Sequence, residues 1–385
     1  MSRLQQLNEA GQGVWLDFVN RGFLEDGGLK KLVDQDGLTG VTSNPSIFEK
    51  AMGHSDRYND SIKSAVASGS KAATDLYETL AVEDIRKAAD TLRPVYDRLD
   101  ARDGYVSLEV SPYLANKTDE TIAEARRLWA MVDRPNLMIK VPGTKAGVPA
   151  IRTLIEDGIN VNVTLLFAVE AYQAVARAFI EGLEARVAKD EPIGRIASVA
   201  SFFLSRIDTQ VDEQLDSVVE AGGDNAGRAK MLKGTIAIAS AKRAYAWYCE
   251  MIAGERWRKL ADKGAMPQRL LWASTSTKNP DYSDVLYVET LIGPDTVNTL
   301  PPDTMDAFRD HGTVAQTLAT GQDEVAAELK ELAGLGIDLE AITDDLVTNG
   351  VKKFSDAFDA LLEAVDEKRK RFADGNRVNE QSQAG

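Results

Sequence analysis

Short apolar runs alternate with amphipathic helical stretches along most of the chain, and no other feature constrains its fold as strongly. Strand-like runs lie at 14–18, 40–44, 105–110, 137–141, 161–167, 196–203, 270–274 and 285–290. Between them, apolar residues recur at helical spacing. Examples are Ile122, Ala125, Leu128 and Val132 over 121–132, with Thr118 as the expected N-cap. Val148, Ile151, Leu154 and Ile155 mark 145–158, which Gly158 ends, and Val175, Ala178, Phe179 and Leu183 mark 170–187. Strands joined through helices run parallel, because a parallel pair needs a crossover connection. Eight such units predict a closed (β/α)8 TIM barrel with additional helices. An open doubly wound sheet is the alternative, but no glycine-rich dinucleotide fingerprint follows the first strand.

The 385 residues suit one barrel domain over 1–374 with a helical C-terminal part, and the polar segment 375–385 is expected to fray. The intervals 46–104 and 207–268 have room for two or more helices each, and 322–373 reads as helical and charged.

Hydrophobic residues at 44% and charged residues at 27% are ordinary for a soluble globular protein. No apolar stretch approaches the roughly 18 residues of a membrane helix, and the N-terminal residues lack the apolar core of a secretory signal. The expectation is a cytoplasmic enzyme with no membrane partner. A net charge of −15 argues against nucleic acid, whose binding rests on neutralising phosphates. It leaves room for a small anionic substrate held by one or two cations. One cysteine, Cys249, excludes an internal disulfide, and its helical context predicts a buried thiol. With two histidines far apart, His54 and His311, no metal site is expected.

Lys140 stands in the apolar run 136–142. A lysine amine attacks a carbonyl only when neutral, and burial disfavours its charged form. Lys140 is therefore a candidate Schiff-base nucleophile. The competing reading is a structural lysine paired with a carboxylate or phosphate.

Side chains two apart share a strand face. Near the C-terminal ends of the predicted strands, where barrel active sites sit, this rule collects Asp17, Thr42, Asn44, Ser107, Glu109, Lys140, Asn162, Thr164, Ser201 and Ser274, with Phe203 beside Ser201. Each alone could be a satisfied core hydrogen bond. Together they predict a polar pocket at the barrel mouth, holding an amine, two carboxylates, and hydroxyls and amides able to bind polyol hydroxyls or water. Arg206, just past strand six, could bind an anion bidentately or pair with Asp208 or Asp212. The hydroxyl-rich segment 273–279 with Lys278 is either a phosphate loop or a solvated one.

Several of these residues sit in motifs that resemble transaldolases: Trp15-Leu16-Asp17, the run 40–48 with Thr42-Ser43-Asn44-Pro45-Ser46, Ser107-Leu108-Glu109-Val110, 137–142 around Lys140, 158–167, and Ser201 through Arg206. The resemblance covers roughly residues 10–370 and leans toward the longer branch found in actinobacteria. It implies a barrel that needs neither metal nor organic cofactor, acts on sugar phosphates as a monomer or homodimer, and transfers a dihydroxyacetone unit. By position it implies Lys140 as the Schiff-base lysine, Asp17 as the proton-transfer group, and Glu109 and Thr164 as holders of the water. Asn44, Asn162 and Ser201 would bind the donor, Phe203 would flank the water, and Arg206 would bind phosphate with help from Ser274 and Lys278. Phe202 departs from the proline common in shorter bacterial relatives, and the strand-seven loop is longer. A fructose 6-phosphate aldolase that releases dihydroxyacetone, and a non-catalytic sugar-phosphate-binding protein, are the rival expectations.

Overall fold

The computed structural model describes residues 1–69 and 72–383. Eight parallel strands close in sequence order into a barrel. They are β1 Gln12–Leu16, β2 Gly40–Val41, β3 Tyr105–Glu109, β4 Leu137–Pro142, β5 Val161–Leu166, β6 Ser198–Phe203, β7 Arg269–Ala273 and β8 Thr296–Leu300. The predicted (β/α)8 TIM barrel with additional helices is the observed architecture.

The last strand corrects the sequence reading. The run 285–290 holds the short helix Leu286–Glu289, with Tyr287 and Val288 buried, and the barrel closes through Thr296–Leu300. Short apolar runs do not reveal by periodicity whether they are strand or buried helix. Here the Tyr287 hydroxyl donates to buried Asp208 Oδ2 at 2.8 Å, anchoring the turn outside the sheet. Lys117 holds the N-cap position of the helix Thr118–Val132 without a side-chain capping bond, and Thr118 instead donates its hydroxyl to Ala146 O at 2.8 Å. Cys249 is exposed rather than buried, because Tyr245 and Tyr248 take the inward positions of that helix.

Trp15, on β1, is fully buried. A Cβ at Gly40, its register partner on β2, would lie 2.3 Å from the indole ring, so only glycine admits the ring there. The indole N–H donates to Asp103 Oδ1 at 2.8 Å, and Arg269 donates to Asp103 Oδ2 at 3.0 Å. A buried ion pair of this kind fixes an arrangement more than it adds stability.

The C-terminal helix Leu339–Gln383 packs against β5 and against the helices Pro45–His54, Asn59–Ala67, Ala73–Arg98 and Ser205–Ala221. It therefore crosses the C-terminal mouth of the barrel. The segment 375–385, expected as a frayed tail, continues this helix backbone to Gln383; no proline interrupts it, and its last two residues lie outside the described residues.

Candidate active site

Strand register builds the centre of the site. Glu109 on β3 is the partner of Lys140 on β4, and Lys140 is the partner of Asn162 on β5. All three side chains are buried. Lys140 Nζ donates to Ser43 O at 3.1 Å and stands 3.4 Å from Glu109 Oε2. Burial pushes the Glu109 carboxyl up to about 7, against the downward pull of the Lys140 ammonium, while the Asp17 carboxylate adds to the rise.

Asp17 follows β1 and is half-buried. Its Oδ1 accepts from the Thr42 hydroxyl at 2.7 Å, and Thr42 Oγ1 is also 2.7 Å from Thr299 Oγ1. Asp17 and Glu109 both lie close enough to act electrostatically on the Arg206 guanidinium.

Asn162 is tied into the barrel wall. Its Nδ2 donates to Ser107 Oγ at 2.9 Å, and its Oδ1 accepts from Ser201 Oγ at 2.7 Å. Thr164 stands one pleat above it. β5 breaks register between Val163 and Leu166, and Leu165 adopts φ +60°. A left-handed leucine is uncommon, and such strain gathers at functional sites. The Thr164 hydroxyl and both Glu109 oxygens are buried without a hydrogen-bond partner in the chain. Such groups need an explanation, and a reaction role is one. Asn44 Oδ1 accepts from Ile47 N at 3.0 Å as the N-cap of Pro45–His54, which leaves its amide N–H groups for other partners.

A pair of cations, Arg206 and Lys278, lies beside this centre. Phe203 packs at a tilt of 52° against Phe167 with centroids 5.3 Å apart, and the Arg206 guanidinium lies 5.2 Å from the Phe203 ring. Arg206 Nη1 is buried without a partner, and burial holds this guanidinium below its ordinary range. The competing expectation, a salt bridge from Arg206 to Asp208 or Asp212, is not what forms. Asp208 Oδ1 accepts from Ala237 N at 2.7 Å, and Asp212 accepts from Gly234 N at 3.1 Å and from the Tyr282 hydroxyl at 2.6 Å. With the Tyr287–Asp208 bond, these contacts pin the loop after β7 to the helix that carries Arg206. Ser274 and Ser205 hydroxyls meet at 2.8 Å across the same seam. Lys278 is exposed and donates to Ser276 Oγ at 2.7 Å. Partial burial and the Arg206 charge both push its ammonium below the usual lysine range. Mutual repulsion between two cations is the electrostatic mark of a place suited to an anion.

Strand alternation thus located Asp17, Glu109, Lys140, Asn162, Thr164, Ser201 and Phe203, which the structure gathers at the mouth, with Arg206 and Ser274 at its edge and Lys278 on its outer rim. It missed Thr299, because β8 was misplaced, and it missed Phe354. The Phe354 ring, from the C-terminal helix, lies 5.8 Å from Lys140 Nζ and 5.9 Å from the Arg206 guanidinium carbon. Among the described residues no group of three or more His, Cys, Asp or Glu could hold a metal ion, and no helix is long and apolar enough to cross a membrane.

Fold and site together define a class: a (β/α)8 barrel with a buried lysine–carboxylate pair at its C-terminal mouth. Residues 14–365 match the model of the Transaldolase/Fructose-6-phosphate aldolase family, and the chain belongs to that family. A protein of Trichodesmium erythraeum named transaldolase is 47% identical over 376 residues, 96% of this chain and 98% of its own length. Transaldolases of Thiobacillus denitrificans and of Thermobifida fusca are 47% and 45% identical, covering 95% and 94% of this chain and 100% and 97% of their own.

Proposed function

We propose that the protein is a transaldolase that works through a Schiff base on Lys140. It takes a dihydroxyacetone unit from sedoheptulose 7-phosphate and passes it to glyceraldehyde 3-phosphate, giving erythrose 4-phosphate and fructose 6-phosphate in the non-oxidative pentose phosphate pathway. The observation that carries this reading is the buried Lys140–Glu109 pair, with both Glu109 oxygens otherwise unpartnered, in a chain nearly half identical to proteins named transaldolase.

The neutral Lys140 amine adds to the donor ketone, and the carbinolamine loses water to leave a protonated imine. Glu109 and Thr164 hold the water that enters and leaves at this carbon. Asp17, within reach of Thr42, takes the proton of the donor hydroxyl as the carbon–carbon bond breaks. The bonding pair moves toward the imine nitrogen, which leaves a three-carbon enamine. Asn44, Asn162 and Ser201 hold donor hydroxyls. Arg206 binds the phosphate, with Ser274 and Lys278 at its edge. Phe203 limits water at the imine, which favours transfer over release of free dihydroxyacetone. The enzyme uses neither metal nor organic cofactor, works in the cytoplasm as a monomer or homodimer, and binds neither nucleic acid nor membrane.

The test is incubation with fructose 6-phosphate and erythrose 4-phosphate, with products followed over time. Sedoheptulose 7-phosphate and glyceraldehyde 3-phosphate are expected. Free dihydroxyacetone as the main product would make the protein the aldolase of its family instead, and no turnover by folded protein would move it to a binding role.

A further inference from the structure

We propose that Phe354 is a further functional residue of this reaction: its ring face holds the positive charge at Lys140 Nζ through the imine stage and keeps water from that nitrogen. The inference rests on the Schiff-base reading of Lys140 and goes beyond it.

An ammonium offers three N–H donors. Here one goes to Ser43 O, and Glu109 lies 3.4 Å from the nitrogen. When Lys140 adds to the donor ketone and the carbonyl oxygen leaves as water, the nitrogen gains a double bond to carbon. It keeps its positive charge but only one N–H. Hydrogen bonds tuned to the ammonium are lost at that step. An aromatic face attracts charge rather than an N–H, so its attraction survives the conversion. Phe354 supplies such a face 5.8 Å from Nζ, inside the roughly 6 Å range of this interaction. When the carbon–carbon bond breaks, the electron pair neutralises the nitrogen. Addition of the acceptor aldehyde restores the cation, and the ring is needed again. If the enamine carbon instead takes a proton, the protonated imine re-forms, and water adding to it releases dihydroxyacetone and the free amine.

The helix that carries Phe354 is built to come this close. One turn earlier, a Cβ on Gly350 would lie 2.9 Å from Leu165 Cδ2 and 3.8 Å from Arg206 Nη1. Glycine there lets the helix backbone rest on the strained end of β5. One turn later, Phe358 packs edge-on against Tyr77 with centroids 5.4 Å apart. Near the far end, Lys368 Nζ donates to Met52 O and Ser55 O at 2.6 and 2.7 Å. Held on both sides, Phe354 is buried over the mouth, and its ring also faces Arg206. One ring thus touches both the nucleophile and the proposed phosphate-binding cation.

The experiment compares the full-length protein with Phe354→Leu and Phe354→Tyr. Leucine fills much of the apolar space without a ring face, and tyrosine retains the face. Two readouts are taken: the yield of the borohydride-reduced adduct on Lys140 with fructose 6-phosphate, and the ratio of free dihydroxyacetone to transferred product with erythrose 4-phosphate present. Circular dichroism melts check folding, and Phe354→Met replaces the leucine variant if that one does not fold. The leucine variant should lose about fivefold or more of the adduct and release more dihydroxyacetone per transfer, with the adduct yield of the tyrosine variant near the parent's. A folded leucine variant with parental yield and ratio would overturn the proposal. So would a tyrosine variant that falls as far as leucine, since that would make the effect one of packing. Failure to trap the parent protein on Lys140 would instead remove the Schiff-base reading, and this proposal with it.

Discussion

Lys140 and Glu109 face each other across adjacent strands as register partners, with Nζ 3.4 Å from Oε2 and both side chains buried. This one relationship joins the fold to the chemistry. Burial alone would leave two costly charges, and pairing alone would leave an inert ion pair. Together they set an amine beside a carboxyl on neighbouring strands, at the C-terminal end of the barrel.

Replacing Lys140 with methionine keeps the apolar stem and removes the amine. Turnover should fall by on the order of a thousandfold or more, with the melting transition retained. The check is the coupled transfer assay beside a thermal melt. Substantial residual turnover would take Lys140 out of the mechanism.

Glu109 titrates at about 7, raised chiefly by burial. If its ionised form handles the water, kcat/KM should rise with pH through about 7, and Glu109→Gln should lower the rate and flatten that limb. A full pH–rate profile of both proteins decides this. An unchanged acid limb in the variant would assign the titration to another group.

Arg206 presents a buried, unpartnered Nη1 between two aromatic rings. Arg206→Ala should raise KM for fructose 6-phosphate by roughly tenfold or more, the scale of a lost charge-assisted hydrogen bond. Competition by inorganic phosphate should weaken in parallel. Lys278→Ala should do less, because that side chain is exposed. Equal inhibition by phosphate in parent and Arg206→Ala would place the anion elsewhere.

The Phe203→Tyr substitution puts a hydroxyl where an apolar ring meets Phe167 and Arg206. It should bring water closer to the imine and shift products toward free dihydroxyacetone. Product ratios measured with and without acceptor test this, and an unchanged ratio would count against a role for Phe203 in water control.

The seam between the loop after β7 and the helix Ser205–Ala221 adds a stability prediction. Asp208 is pushed up to about 7 by burial, against the hydrogen bonds from Ala237 N and Tyr287. Its folded value lies above the unfolded one near 3.8. The folded state therefore binds this proton more tightly, and its stabilising contribution is complete below the unfolded value and fades as pH rises through about 7. The stability difference between parent and Asp208→Asn should drift by up to about 1.4 kcal/mol per pH unit across that window. Urea melts at several pH values measure it, and a flat difference would contradict the assignment.

Much of this was legible in the sequence for a physical reason. Strand alternation is local, so Asp17, Glu109, Lys140, Asn162 and Thr164 could be placed on one face before any coordinates. What escaped is non-local. The run 285–290 has the composition of a strand, and only the burial of Tyr287 against Asp208 makes it a helix while Thr296–Leu300 closes the barrel. Asn162 reads as a donor ligand, yet half its amide is committed to Ser107 and Ser201. Phe354 lies on a helix whose periodicity says that one face is buried but not against what. Its place over Lys140 follows from Gly350 on Leu165, a contact across 185 positions of the 350–165 separation that no local pattern encodes.

Every role proposed at this site depends on a covalent bond between Lys140 and the donor. Incubation with fructose 6-phosphate and borohydride, followed by intact mass and peptide mapping, tests it most directly. A reduced three-carbon adduct on Lys140 is the expected result. Folded protein that carries no adduct, or an adduct on another lysine, would contradict it.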